Sequence, residues 1–122
     1  DMSHMFRSSD FNHPIGGWNV GRVTNMASMF SSSLFNQDIS KWNTRKLECM
    51  RYMFSYSKFN KPIGDWNISR LDGNTLFGIL RYCRYKHSLY KWTIKRPDIV
   101  FRRYINKNIL RCPFYIRWVD YS

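Results

Sequence analysis

The apolar residues of this chain recur with a period of 24 residues between positions 2 and 71. Nine of the 24 columns hold the same residue in three copies, which chance cannot produce because Trp and Met are rare residues. The identical columns are Met2, Met26 and Met50; Met5, Met29 and Met53; Phe6, Phe30 and Phe54; Ser9, Ser33 and Ser57; Phe11, Phe35 and Phe59; Asn12, Asn36 and Asn60; Ile15, Ile39 and Ile63; Trp18, Trp42 and Trp66; and Asn19, Asn43 and Asn67. A fixed period of about 20–50 residues is typical of stacked units that bury one another's apolar faces. The pattern therefore predicts a repeat architecture.

The spacing inside one repeat predicts a strand, a turn and a short helix. Met26, Met29 and Phe30 lie on one helical face, and this spacing predicts short helices over 23–31 and 47–55. Later in each repeat, Trp and the residue two positions on would face the same way on a short strand. Stacking would align these strands in a parallel sheet and place the helices on the other side.

The fourth copy of the repeat is irregular. Phe77 keeps its column, whereas Trp92 follows Trp66 by 26 residues instead of 24. We therefore divide the chain into three regular repeats, residues 1–77, and a remainder, residues 78–122, that holds a degenerate last unit and a basic C-terminal cap.

The remainder has two interpretations. In the first it covers the last apolar face of the stack, as terminal units of repeat proteins do, with a helix beginning at Pro97 and a strand over 114–119. In the second it is a separate basic docking module. Both interpretations leave the fold class unchanged: a short α/β solenoid with an irregular C-terminal cap.

Composition adds a strong positive charge, formally +12 over 122 residues. Lys and Arg outnumber Asp and Glu in both parts of the chain, which favours acidic partners such as nucleic acid, anionic membrane surfaces or acidic proteins. No apolar stretch is long enough to span a bilayer. The scattered cysteines Cys49, Cys83 and Cys112 suggest free thiols in a reducing compartment. Asp1 falls inside a repeat, so we expect these residues to belong to a longer protein.

One column of the repeat is not explained by core packing. Arg22, Lys46 and Arg70 each follow the last apolar position of the expected strand by two residues, and Arg45 lies beside them. Stacked at about 5 Å, they would form a ladder of like charges that is unfavourable without compensation. The functional interpretation is a strip that binds an anion or an acidic protein. The structural interpretation is that long side chains spread into water and lose little.

A second basic region, the run Arg81-Tyr82-Cys83-Arg84-Tyr85-Lys86, interleaves cations with aromatic residues. The candidate binding residues near the C-terminus are Arg81, Arg84, Tyr85, Lys86, Arg102 and Arg103. This composition suits nucleic acid, because cations bind phosphates and aromatic rings stack on bases. It equally suits a protein interface, since aromatic residues and Arg are enriched there.

Catalytic and metal chemistry have little support. The eight acids are scattered and form no recognisable constellation with Ser, His or Cys, so we expect neither catalytic residues nor a cofactor. Cys83 and His87 have a spacing compatible with one helix face, but two ligands do not make a metal site. We expect Asn19, Asn43 and Asn67 to stack as an amide ladder and the other Asn column to serve a turn.

The repeat as a whole resembles a known tandem repeat. Val23-Thr24-Asn25-Met26, Met29-Phe30, Phe35-Asn36-Gln37-Asp38-Ile39 and Trp42-Asn43 carry the match. They are similar to the 24–26-residue repeat of mycoplasma-type lipoproteins and BspA-like surface proteins, which also occurs in giant-virus proteins. The resemblance implies a leucine-rich-repeat-like solenoid used for display or binding, without family-wide catalytic residues. The usual acidic surface of the family is replaced here by a basic one.

These observations favour a non-enzymatic structural or protein-interaction module in a larger hetero-assembly. The resemblance suggests a giant-virus particle, with a minor capsid or cement-like role, in the virion or in the host cytoplasm during assembly. One alternative is an adhesin-type repeat at the cell surface. A second is binding of nucleic acid or of an anionic surface through the basic face.

Overall fold

The computed structural model describes residues 1–72, 74–89, 91–95 and 117–119. The backbone of this part contains no helix, and its two strands, β1 (Thr93–Lys95) and β2 (Arg117–Val119), pair in parallel. The repeats consist instead of tight turns that stack on one another. We call the turn-built unit of each repeat a rung.

Backbone hydrogen bonds join the rungs through every second residue. The N–H of Phe30 donates to the carbonyl of Met53 in the next rung at 2.9 Å, and the residues two positions to either side make the same bond. The intervening N–H groups close turns within the rung: that of Met29 donates to the carbonyl of Met26 at 3.2 Å. Because these bonds use peptide groups alone, the stacking does not depend on a particular side chain.

This alternation requires a left-handed backbone at two positions in each rung. Ser28 has φ 57° and Ser32 has φ 56°, where most residues other than glycine are strained. The aligned positions of the other rungs are left-handed too: His4, Tyr52 and Gly78 in one column, and Ser8, Tyr56 and Tyr82 in the other. The turns at these positions close through hydrogen bonds that offset the strain.

The predicted α/β solenoid of strand–turn–helix units is therefore wrong. The segments 23–31 and 47–55 are turns, because a left-handed residue interrupts each of them and three N–H groups of each segment bond to the next rung. A helix needs continuous right-handed dihedrals and bonds to the fourth residue back. The expected strand fails as well, since the N–H of Trp42 closes a turn onto the carbonyl of Ile39 at 3.2 Å.

The recurring apolar columns form the core, as their periodicity predicts. Met29, Phe30, Phe35 and Ile39 are fully buried, and the same columns are buried in the following rungs. Aromatic rings stack along the columns, with Phe30 and Phe54 centroids 5.8 Å apart. Stacked repeats of this kind bury in each rung the apolar face that a single rung would expose.

Tryptophan adds a directional bond to this apolar packing. The indole Nε1 of Trp66 donates to the carbonyl of Ile39 in the preceding rung at 3.0 Å, and Trp42 donates to Ile15 in the same way. Each indole is buried, so its N–H needs an acceptor. Trp18 lies on the first rung and keeps 41% of its surface exposed.

A ladder of asparagine side chains also joins the rungs. The Oδ1 of Asn12 accepts the N–H of Asn36 at 2.9 Å, and the Oδ1 of Asn36 accepts that of Asn60 at 2.8 Å. The column that we assigned to a turn therefore forms the ladder, and the column of Asn19, Asn43 and Asn67 does not. Asn19 and Asn43, from the column we expected to stack, each accept a backbone N–H two residues on in their own rung.

The described residues of the fourth rung stack on the third rung. The two extra residues enter at an earlier point of the chain than the sequence suggests. The N–H of Phe54 donates to Ile79 and not to Phe77, so the two extra residues enter before Leu76. Asn60 then pairs with the N–H of Lys86, 26 residues away. The division of the chain after residue 77 stays a prediction, and the helix expected from Pro97 lies outside the described residues.

Replacing Trp66 with Phe should destabilise the stack by about 1–3 kcal/mol, because a buried carbonyl loses one of its donors and the core loses volume. The matched change Trp18→Phe should cost less than about 0.5 kcal/mol, since that ring is partly exposed. Urea unfolding of both variants measures the difference. Equal losses would show that the indole bonds do not hold the rungs together.

Cys83 should resist alkylation until the protein unfolds. Its Sγ donates to the carbonyl of Phe59 at 3.2 Å, and burial raises the pKa of the thiol. The neutral thiol therefore stabilises the fold at any pH below the pKa that Cys83 has in the unfolded chain. This stability is lost as the pH rises through the higher pKa that the thiol has in the folded chain. In a Cys112→Ser background, iodoacetamide at about pH 8 should label the half-buried Cys49 first. Mass spectrometry with and without urea checks this order, and rapid labelling of both thiols in native protein would contradict it.

Candidate functional site

The register of the rungs places Arg22, Lys46 and Arg70 in one column, which we call the cation column. The parallel bridge between Asn25 and Cys49 fixes this register a few residues further along. Arg22 and Arg70 are exposed, and Lys46 is half-buried. The backbone therefore aligns the three cationic residues along the stack, as the expected ladder of like charges requires.

One carboxylate lies beside the cation column. Glu48 Oε1 is 3.5 Å from Nη1 of Arg70, and both side chains are more than half exposed, so the pair contributes little to stability. Within the described residues, no carboxylate forms an ion pair with Arg22 or Lys46. Arg45 is exposed in the adjacent column, and its N–H donates to the Oδ1 of Asn43 at 3.3 Å. The column thus keeps most of its positive charge available.

Of the C-terminal candidates that the structure describes, one is not on the surface. Arg84 and Lys86 are exposed and Arg81 is half-buried, but Tyr85 is 2% exposed and lies in the core. Its hydroxyl accepts the N–H of Ile63 at 3.1 Å, so Tyr85 is not available as a surface aromatic residue. The other two candidates, Arg102 and Arg103, lie outside the described residues.

A different set of aromatic and cationic residues is brought together on the third and fourth rungs. We call this set the tyrosine–arginine face: Tyr56, Arg81 and Tyr82. Tyr56 and Tyr82 are 60% and 54% exposed, and their rings stack with centroids 4.9 Å apart. The guanidinium of Arg81 lies 5.3 Å from the centroid of Tyr82.

The left-handed columns explain why these tyrosines project from the stack. Tyr56 and Tyr82 occupy the column that holds Ser8 and Ser32 in the first two rungs. Residues in this column are exposed, so a change from Ser to Tyr alters the surface without entering the core. The face is thus a property of particular rungs and not of the repeat.

The neighbouring left-handed column holds Tyr52 and Gly78. The ring of Tyr52 packs over Gly78 so closely that a Cβ there would lie 2.4 Å from it. The same ring meets Phe77 edge-on, with centroids 5.4 Å apart. Gly78 therefore gives Tyr52 the space to lie against the stack, while Tyr56 and Tyr82 stand exposed.

Cations surround the tyrosine–arginine face. Lys58 and Arg84 are exposed two residues after Tyr56 and Tyr82 and extend the face on one side. Hydrogen bonding with Tyr82 is the main cause that raises the pKa of Arg81, so this guanidinium stays charged. The fold thus combines fixed positive charge with exposed aromatic rings, which suits an anionic partner that also carries planar groups.

A shallow cavity of about 240 Å³ lies elsewhere, next to Asp65, His87, Ser88 and Lys91. Lys91 Nζ donates to Asp65 Oδ1 at 2.8 Å and lowers the pKa of that carboxyl, so the two charges compensate each other. His87 Nε2 lies 3.0 Å from the carbonyl oxygen of Asn60.

The weak metal candidate from the sequence is not assembled. Cys83 and His87 each interact with a different backbone carbonyl of the preceding rung. Within the described ranges, no group of three or more His, Cys, Asp or Glu side chains could hold a metal ion. Nor does any helix in those ranges have the length and apolarity to cross a membrane.

The sequence indicated only one side of the tyrosine–arginine face. Arg81 and Tyr82 lie in the basic run that interleaves cations with aromatic residues, whereas Tyr56 was missed because the rungs were compared for what they share. The signal for Tyr56 was present as a column that changes from Ser to Tyr while its neighbours stay constant. Its alignment with Tyr82 was hidden by the assumed period, because the two residues align only after the shift before Leu76 is included.

Comparison with known proteins adds a family assignment. A family model described as "Mycoplasma protein of unknown function, DUF285" matches residues 1–96, which include all four rungs. No curated protein and no solved structure matches the chain. The match spans more than half of the sequence, and the chain therefore belongs to the DUF285 family of mycoplasma proteins of unknown function.

Proposed function

We propose that this chain is a non-enzymatic protein-interaction module that binds an acidic surface of another protein within a larger assembly. The cation column is the observation that carries the proposal. The stacked rungs align three cations, Arg22, Lys46 and Arg70. Of these three, only Arg70 forms an ion pair with a carboxylate in the part that the structure describes.

Core packing does not account for this recurrence. Two unit charges separated by about 5 Å repel each other by roughly 1 kcal/mol in water, so three aligned cations carry a small but repeated cost. An acidic partner surface would relieve that repulsion in every rung at once. Because the backbone bonds fix the spacing, the charges are already positioned before binding, which reduces the entropy lost on association.

The family assignment leaves the kind of assembly open, and the repeat resemblance favours a virus particle. The module would then have a minor capsid or cement-like role. It would be located in the virion, or in the host cytoplasm during assembly. The basic surface supports contact with acidic neighbours more than the adhesin role at a cell surface.

Charge reversal at the cation column tests the proposal. The variant Arg22→Glu, Lys46→Glu and Arg70→Glu should elute from immobilised polyglutamate at a clearly lower salt concentration than the unmodified chain. The reason is that local attraction is replaced by local repulsion, which salt screens. The elution position in a salt gradient is the measurement.

A control with the same net charge separates the column from the general basicity of the chain. Arg7→Glu, Lys41→Glu and Lys61→Glu change three cations elsewhere on the stack. If both triple variants shift elution equally, the cation column is not a binding site. Crosslinking mass spectrometry on native source material then identifies the neighbour, and a neighbour without an acidic surface would argue against the proposal.

A further inference from the structure

We propose that the tyrosine–arginine face binds single-stranded nucleic acid, with a base stacked on the outer face of Tyr56. This site lies in other columns than Arg22, Lys46 and Arg70, so it does not rest on the proposed protein interaction. It adds a second kind of partner to the same module.

Tyr82 covers one side of the Tyr56 ring, and Tyr56 is still 60% exposed. Tyr82 stacks on it from the fourth rung, with an angle of 27° between the planes. In the second rung the same column holds Ser32, with the same φ of 56° but a side chain too small to cover the ring. Because Ser32 is much smaller than Tyr56, one more planar ring can stack on Tyr56 at the side of the second rung.

The tyrosines are held in place before a ligand binds. The N–H of Tyr56 donates to the carbonyl of Arg81 at 2.9 Å, which fixes the backbone of the third rung to the fourth. Arg81 packs over Tyr82 and restrains the second ring. Rigid aromatic platforms lose little entropy on binding, and stacking on them tolerates any base.

The charges near the rings complement a phosphate backbone. The guanidinium of Arg81 lies over the ring of Tyr82, and the exposed Lys58 and Arg84 follow Tyr56 and Tyr82 by two residues. The one acid in the column of Lys58 and Arg84 is Asp10, two rungs away on the first repeat. A strand of nucleic acid carries an anion and a planar ring in each unit, so it uses both features of the face together.

An acidic protein would use the cations but has no need of the exposed ring pair. Aromatic rings that project into solvent on a basic surface, with no acid among them, fit a base-bearing polyanion better than a carboxylate-bearing one. The binding of bases is therefore the property that discriminates the two partners.

The test compares two fluorescent probes of equal length and charge: a 20-nucleotide thymidylate and a 20-unit abasic strand. The unmodified chain should bind the thymidylate about tenfold more tightly, as expected for one or two stacked bases. The double variant Tyr56→Ser and Tyr82→Ser restores the residue of the first two rungs and should bind both probes equally. Fluorescence anisotropy provides the affinities, and thermal melting verifies that the variant folds.

Two controls assign the effect to stacking and to charge separately. Tyr52→Ser removes a tyrosine that lies edge-on to Phe77, and it should keep the preference for bases. Lys58→Gln with Arg84→Gln should keep that preference but lower the salt slope by up to about 1.4, at about 0.7 for each lost phosphate contact.

Three results would overturn the proposal. The first is equal affinity of the unmodified chain for the two probes, which would indicate charge alone. The second is a base preference that survives the double tyrosine variant. The third is loss of polyglutamate binding in that variant without any base preference in the parent, which would make the tyrosines part of a protein interface.

Discussion

The alternation of backbone N–H groups is the constraint on which the rest of the structure depends. One N–H closes a turn in its own rung, and the next reaches a carbonyl in the following rung. Two consequences follow together: left-handed residues are needed at regular intervals, and the rungs are locked in register. The aligned columns of apolar rings, asparagines and cations exist because that register is fixed.

Side chains then complete what the peptide groups begin. Trp66 and Trp42 satisfy their indoles on carbonyls of the preceding rung, and Asn36 bridges to Asn60. These polar bonds and the stacked rings occupy the inner columns, so the outer columns carry little of the packing. The separation allows the outer columns to differ between rungs while the inner columns stay the same.

Much of the core could be predicted from the sequence, because the apolar columns repeat the same residue in the first three rungs. The secondary structure could not, since the spacing of Met26, Met29 and Phe30 is the same in a helix and in successive tight turns. Glycine would have signalled the left-handed positions, but Ser28 and Ser32 occupy them. The cation column was predicted by alignment, whereas the exposed Tyr56 was missed because alignment favours what recurs. Tyr85 was misplaced because a strict period hides its replacement of Phe59 in the core.

The left-handed columns have a consequence for how such a chain changes over time. One of them holds Ser8, Ser32, Tyr56 and Tyr82, all exposed, so its backbone conformation accepts both small and large side chains. A single substitution there can give one rung a new recognition property while the free energy of folding stays nearly constant. Stability and specificity are thus carried by different positions of the same repeat, and a lineage can alter the second without risking the first.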